Sequence, residues 1–181
     1  MQVQYILEIE QTKDGMNERA QTVSDSGAPA PHTFALIPAA YVYLRSAQGV
    51  LLQLRQNTGY MDGCWAAGAA GHIERGETAV QAAIRELREE LGVTVEPAAL
   101  HWVAVMQRTD GTENPREQRV DWFFTCDEWR GEPTIAEPQK CGGLAWHPLD
   151  DLPQEMPPHE RRALEAVDAG GSTALLSFGP A

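Results

Sequence analysis

Three carboxylates stand close together in this chain, at Glu86, Glu89 and Glu90. Their spacings are i, i+3 and i, i+4, which on a helix makes them neighbours on one face. Such a cluster has a cost, because like charges at i, i+4 destabilise a helix by ~0.2–0.5 kcal/mol per pair. A helix built only for solubility would set Lys or Arg four residues after each Glu. Arg85 and Arg88 offset part of the repulsion, and Arg85 pairs most naturally with Glu89 at i, i+4. A divalent cation would relieve the rest, since hard cations such as Mg²⁺ take carboxylate oxygens and keep several waters. The competing reading is a solvated acidic face, and the three glutamates alone do not decide between the two.

The element that must position them is marked at both ends. Thr78 and Gln81 have capping-box spacing, Glu77 lies where the helix dipole favours negative charge, and Gly92 suits a left-handed C-terminal residue. The spacing therefore predicts a helix over Thr78–Leu91, with Val80, Ala83, Ile84, Leu87 and Leu91 as its apolar stripe. Before it, Thr33–Arg45 and Val50–Arg55 read as a hairpin turning at Ala47-Gln48-Gly49, and Gln56–Gly71 as a glycine-rich connection. After it, Leu100–Arg108 and Arg119–Trp129 read as strands joined by the polar loop Thr109–Gln118, and Leu144–His147 as a short strand. Pro158–Asp168 reads as a second helix, with Pro at its start and Gly170 beyond its end. Strands before, between and after two helices place the chain in the α/β class.

A length of 181 residues with 43% hydrophobic side chains suits one domain with a substantial core. The expected division is a weakly ordered arm over 1–31, poor in bulky apolar residues, and a domain over 32–181. A formal net charge of −12 argues against a nucleic acid polymer or an anionic membrane as partner, both of which call for basic patches. Cys64, Cys126 and Cys141 form no CxxC pair, so neither a disulfide framework nor a zinc site is expected. The N-terminus lacks the features of a signal peptide, and no stretch has the ~20 apolar residues of a membrane span. The expected location is cytoplasmic. Oligomeric state is left open, and a homodimer is compatible with the sequence.

The run Gly71–Val93 resembles the Nudix box, whose pattern is G-x5-E-x7-R-E-U-x-E-E-x-G-U with U a bulky aliphatic residue; every specified position matches. A weaker similarity extends over about residues 34–165, although the proline that many members carry just before the box glycine is missing. The resemblance implies an α/β/α sandwich around a mixed β-sheet. It also implies metal-dependent hydrolysis of a diphosphate linkage in a nucleotide-type small molecule. Glu86, Glu89 and Glu90 would bind Mg²⁺ or Mn²⁺, with the Gly71 carbonyl as a further ligand. Arg85 would orient the glutamates, and Glu77 would brace the loop against Arg85. Glu137 is similar to a loop glutamate that completes the metal site in MutT-type enzymes. Glu89, then Glu137, are the candidates for general base.

The substrate side offers fewer signals. Trp122 and Phe124, or Tyr60 and Trp65, could stack on a base, with core packing the stronger alternative for the strand aromatics. Arg55 and Arg108 could touch phosphate, and His72 could face the substrate beside Gly71. Within the family the resemblance leaves open a nucleoside triphosphate pyrophosphatase, one for oxidised nucleotides included, and an ADP-ribose or nucleoside diphosphate sugar pyrophosphatase. An isoprenoid diphosphate isomerase and a non-catalytic ligand sensor are further alternatives. The isomerase branch calls for a catalytic cysteine, and Cys64 is badly placed for that role.

Overall fold

The computed structural model describes residues 34–168 and 174–180. The arm expected over 1–31 lies outside the described residues, as does Gly170. Among the described residues eight strands and two α-helices follow one another: β1 (Ile37–Ser46), β2 (Gly49–Arg55), β3 (Trp65–Ala67), β4 (Ala69–His72), α1 (Ala79–Leu91), β5 (Leu100–Arg108), β6 (Arg119–Cys126), β7 (Cys141–His147), α2 (Pro158–Asp168) and β8 (Ala174–Phe178). The mixed sheet runs β3-β2-β1-β6-β5-β8, with β4 added on β1 and β7 on β2. The β1–β6 and β5–β8 pairs are parallel and the others antiparallel.

Period-2 alternation along β1 sorts the core into two faces. Ala40, Val42 and Leu44 face α1, together with Leu87, Leu91, Val93 and Phe124. Ala39, Tyr41 and Tyr43 face α2, together with Met106, Phe123, Ala163 and Leu164. The result is helix, sheet, helix, each layer burying one apolar face.

The feature that matters for the site is a split in the sheet. β1 and β2 pair directly only near their turn, at Arg45–Val50 and Ser46–Gly49. Beyond it β1 takes β4 as its partner, and β2 takes β3. The backbone of Trp65–His72 thus crosses from one half-sheet to the other. Gly49 makes the turn possible: its φ is +111°, and a Cβ there would stand 2.0 Å from the His147 carbonyl oxygen.

The structure corrects several sequence expectations. The glycine-rich connection contains β3 and β4, which alanine and glycine conceal because they carry little strand propensity. The strand expected at Arg119–Trp129 ends at Cys126, and that expected at Leu144–His147 begins at Cys141. β8 is additional; it is an edge strand along β5 whose residues alternate between half-buried and exposed. Among the described residues no helix is long and apolar enough to cross a membrane.

Candidate active site

α1 begins and ends as its caps dictate. Thr78 Oγ1 accepts from Gln81 N–H, Gln81 Oε1 accepts from Thr78 N–H, and Gly92 closes the helix at φ 69°. Its packed face is turned relative to the expected stripe. Ala82, Ala83, Glu86, Leu87 and Leu91 are buried, while Val80 and Ile84 are only half-buried. The rotation carries Glu86 under the split in the sheet, where its carboxylate lies against Gly71. A Cβ on Gly71 would come within 1.9 Å of Glu86 Oε1, so only glycine leaves room for that carboxylate.

Glu90 reaches the same split one turn on. It accepts hydrogen bonds from Ala70 N–H at 3.0 Å and Gln53 Nε2 at 3.1 Å. Burial nevertheless pushes its pKa up to about 7, and the charge of Glu86 adds to the rise. Burial also raises the pKa of Glu86, against the downward pull of Arg85. Glu89 is the outer member of the three, with its side chain 55% exposed.

Arg85 ties the group together. Its Nε and Nη2 fork onto Glu77 at 2.8 and 3.0 Å, and Nη2 also donates to the His72 carbonyl. Its Nη1 stands between Glu86 and Glu89, at 2.5 and 3.1 Å. Glu77 in turn accepts from Glu74 N–H, and Arg85 chiefly holds its pKa down to about 2. One guanidinium thus joins the loop ahead of the helix, the β4 backbone and two of the three glutamates. Among the described residues no three His, Cys, Asp or Glu side chains are gathered around one point, and Arg85 supplies the positive charge between Glu86 and Glu89. The donors here that could meet a hard cation are the three carboxylates, the Gly71 carbonyl and Glu137. Glu137 lies on the β6–β7 loop, ion-paired to Lys140 at 2.9 Å, and its charge acts on both Glu86 and Glu90.

On the α2 side of the split opens a cleft of about 450 Å³. β4 contributes Ala70, Gly71 and His72 to its lining, and Arg55, Tyr60, Arg108 and Arg119 come from elsewhere. A smaller extension, lined by Gln53, Arg55, Thr58, Ala70, Glu90 and Lys140, shares Arg55, Thr58 and Ala70 with it and reaches Glu90. Arg55 is held by Tyr60 O and Thr58 Oγ1, and Arg108 Nη1 donates to Tyr60 Oη at 3.3 Å. His72 sits on the rim with its pKa lowered, first by partial desolvation and then by Arg119.

Of the residues read from the sequence as substrate contacts, Arg55, Tyr60, His72 and Arg108 line this cleft. Three do not. Phe124 is buried in the α1-side core and Trp122 packs against that same core, on the opposite face of the sheet from the cleft. The register of β6 puts Asp121 and Phe123 toward the cleft side instead, because side chains alternate along a strand. Trp65 packs edge-on against His147, with ring centroids 4.8 Å apart, and is absent from the cleft lining. Gln53, Lys140, Arg119, His159 and Glu160 were not singled out by sequence reasoning. The i, i+2 spacings Gln53–Arg55 and Arg119–Asp121 were the available signal, since polar residues alternating along a strand mark a face that is not all core.

Comparison with known proteins adds a family. The NUDIX domain profile matches residues 35–167. An isopentenyl-diphosphate Delta-isomerase of Cereibacter sphaeroides is 30% identical over 125 residues, spanning 68% of this chain and 70% of that relative. The 8-oxo-dGTP diphosphatase of Escherichia coli is 35% identical over 85 residues, spanning 46% of this chain and 61% of that relative. A MutT NUDIX hydrolase from Burkholderia pseudomallei superposes with a TM-score of 0.66 at 28% identity, covering 74% of this chain and 98% of that structure.

Proposed function

The chain belongs to the Nudix family, and from that premise we propose that it is a divalent-metal-dependent pyrophosphohydrolase cleaving a diphosphate linkage in a nucleotide-type substrate, in the manner of MutT-like enzymes. The observation that carries this reading is the placement of Glu86 and Glu90. Both carboxylates are drawn into the split of the sheet, one against Gly71 and one under Ala70 N–H, at the end of a cleft lined with arginines. Crowding carboxylates out of water raises their energy, and a cation is the partner whose chemistry fits an all-oxygen donor set.

Glu86, Glu89, Glu90, Glu137 and the Gly71 carbonyl would hold Mg²⁺ or Mn²⁺, which when bound neutralises phosphate charge and acidifies water. The protein's own part begins with Arg85, which orients Glu86 and Glu89 and anchors the β4–α1 loop through Glu77. Arg55 and Lys140 line the extension beside Glu90 and bind phosphate oxygens there. Glu89 is the first candidate to take the proton from the attacking water. It is solvent-accessible and engages one ion-pair partner, whereas both oxygens of Glu137 are engaged by Lys140.

A second reading, an isomerase of isoprenoid diphosphates, is favoured by the name of the Cereibacter relative. The cleft weighs against it. No cysteine lines it, and Cys126 and Cys141 are buried with their thiols donating to Glu128 and Gly143 carbonyls. The test is phosphate or pyrophosphate release with Mg²⁺ across 8-oxo and ordinary nucleoside triphosphates, ADP-ribose, UDP-glucose and diadenosine polyphosphates, with isopentenyl diphosphate followed for isomerisation. Metal-dependent release that collapses in Glu89→Gln and Glu90→Gln is expected. Isomerisation without release would establish the second reading, and tight binding of a panel member without turnover would make the protein a ligand sensor.

A further inference from the structure

The cleft reverses the sign of the chain that builds it. The whole sequence has 14 Lys and Arg against 26 Asp and Glu. Yet Arg55, Arg108, Arg116 and Arg119 line this one cavity, opposed by Glu117, Glu160 and the buried Asp121 beneath. Burial pushes the pKa of Glu160 up to about 7, so near neutral pH it contributes only part of a charge.

Arg108 and Arg119 are directly opposite each other in the β5–β6 register. Like charges placed directly opposite on adjacent strands are destabilising. A single carboxylate, Asp121, is shared between them, 2.9 Å from Arg108 Nε and 3.5 Å from Arg119 Nε. A fold needing only to neutralise Asp121 would use one arginine. The second guanidinium is held more loosely: Arg119 Nε and Asp121 Oδ1 face each other as an ion pair at 3.5 Å, and neither atom has a hydrogen bond among the described residues. His159 makes the same point from α2. It is 2% exposed, lines the cleft, and its Nε2, 4.0 Å from Glu160 Oε1, is also without a hydrogen bond. A buried imidazole nitrogen left unpaired carries a desolvation cost that a ligand oxygen would remove. Burial and the charges of Arg108, Arg119 and Arg55 keep that ring neutral.

The uncharged alternatives fit poorly. Tyr41 is stacked on Phe123 and is 8% exposed, which leaves Tyr60 as the accessible aromatic face in the lining. An isoprenoid chain would have to desolvate several guanidiniums without satisfying them.

We propose that the cleft holds a second oxyanion of the substrate, a phosphate beyond the diphosphate bond being cleaved, bound by Arg108, Arg116 and Arg119 with His159 Nε2 as a neutral donor. This deepens the pyrophosphohydrolase reading and rests on it. It selects substrates of the triphosphate or terminally phosphorylated kind over those whose only charge is the diphosphate. Arg55 lines both the cleft and the extension, so one polyanion can run from Lys140 to Arg119.

The test separates binding from catalysis. Calorimetric titration with inorganic tripolyphosphate, in chelator and without divalent ions, is carried out on the wild type, Arg119→Gln, Arg119→Lys, Arg116→Gln and Glu89→Gln. Arg116 is exposed in a loop and its replacement leaves the core untouched, so its reading stands even if an Arg119 variant folds poorly. The expected result is Kd raised roughly tenfold in Arg119→Gln and a few-fold in Arg116→Gln, largely restored in Arg119→Lys, and unchanged in Glu89→Gln. The same arginine variants should raise KM for a nucleoside triphosphate and leave KM for ADP-ribose unaltered. No binding of tripolyphosphate, equal Kd in the wild type and both glutamine variants, or an equal rise in KM for both substrates would overturn the second-phosphate site. Absent turnover with binding intact would instead overturn the hydrolase reading alone.

Discussion

Replacing Glu160 by glutamine removes an ionisable group from the centre of the α2-side core. The Glu160 side chain is 4% exposed, and its Oε2 accepts from Ala67 N–H at 2.6 Å and Tyr43 Oη at 3.3 Å. Desolvation outweighs these bonds and the charge of Arg55, lifting the carboxyl from 4.5 to about 7. A raised folded-state pKa means that folding favours the protonated form. The stability this confers is complete below pH 4.5 and is lost as pH rises toward 7. At pH 8 both states are ionised, and burying the charge costs about 3 kcal/mol. At pH 5 the folded state keeps its proton, and the cost falls below about 1 kcal/mol by the same relation. Glutamine retains an oxygen for Ala67 and Tyr43 but does not titrate. Its stability relative to wild type should therefore improve by about 2–3 kcal/mol from pH 5 to pH 8, or ~5–10 °C in Tm. The groups around it do not confuse the result: His159 titrates at about 3, and the pKa of Tyr43 lies well above its usual value. Glu90 titrates near 7 in both proteins and cancels in the difference. Urea denaturation of the two proteins at pH 5 and pH 8 measures the quantity directly. An offset between them that does not change with pH would refute the buried-charge argument.

Other substitutions probe the remaining parts. Gly71→Ala drives a methyl group into the Glu86 carboxylate, the far end of a flexible side chain; it should lower kcat about 100-fold or more while leaving the denaturation midpoint nearly unchanged, and an active variant would contradict the placement of Glu86. Gly49→Ala meets the His147 backbone at a positive φ, so it should destabilise by on the order of 3 kcal/mol, read by thermal circular dichroism. Arg85→Lys keeps the charge but loses the fork to Glu77, and steady-state kinetics should show kcat reduced more than tenfold with KM little altered. Trp122→Leu, on the face away from the cleft, should weaken the fold and leave KM within twofold; a large rise in KM would restore the base-stacking reading.

The glutamate helix was legible in the sequence because its determinants are local. The i, i+3, i+4 carboxylates, the Thr78–Gln81 box and the terminal Gly92 all act within a few residues, where helix geometry is invariant. Even the link from Arg85 to Glu77 spans only one loop and two turns. The degree of burial of Glu86 was not legible, since it depends on how α1 rolls against β1 and β4. That Trp122 and Phe124 lie away from the cleft was not legible for a related reason. A strand has two faces, and which one meets the cleft is set by pairing with β1, a partner far away in sequence. The arginine cleft is the clearest case. Arg108, Arg116 and Arg119 lie in one strand–loop–strand stretch, but Arg55 and His159 come from β2 and α2, and no spacing along the chain joins these to it. The sequence by itself determined the helix and the oxygen donors it carries. Only the tertiary structure, by opening the sheet between β1 and β2 and pairing β5 with β6, decided what those donors face and what charge awaits beside them.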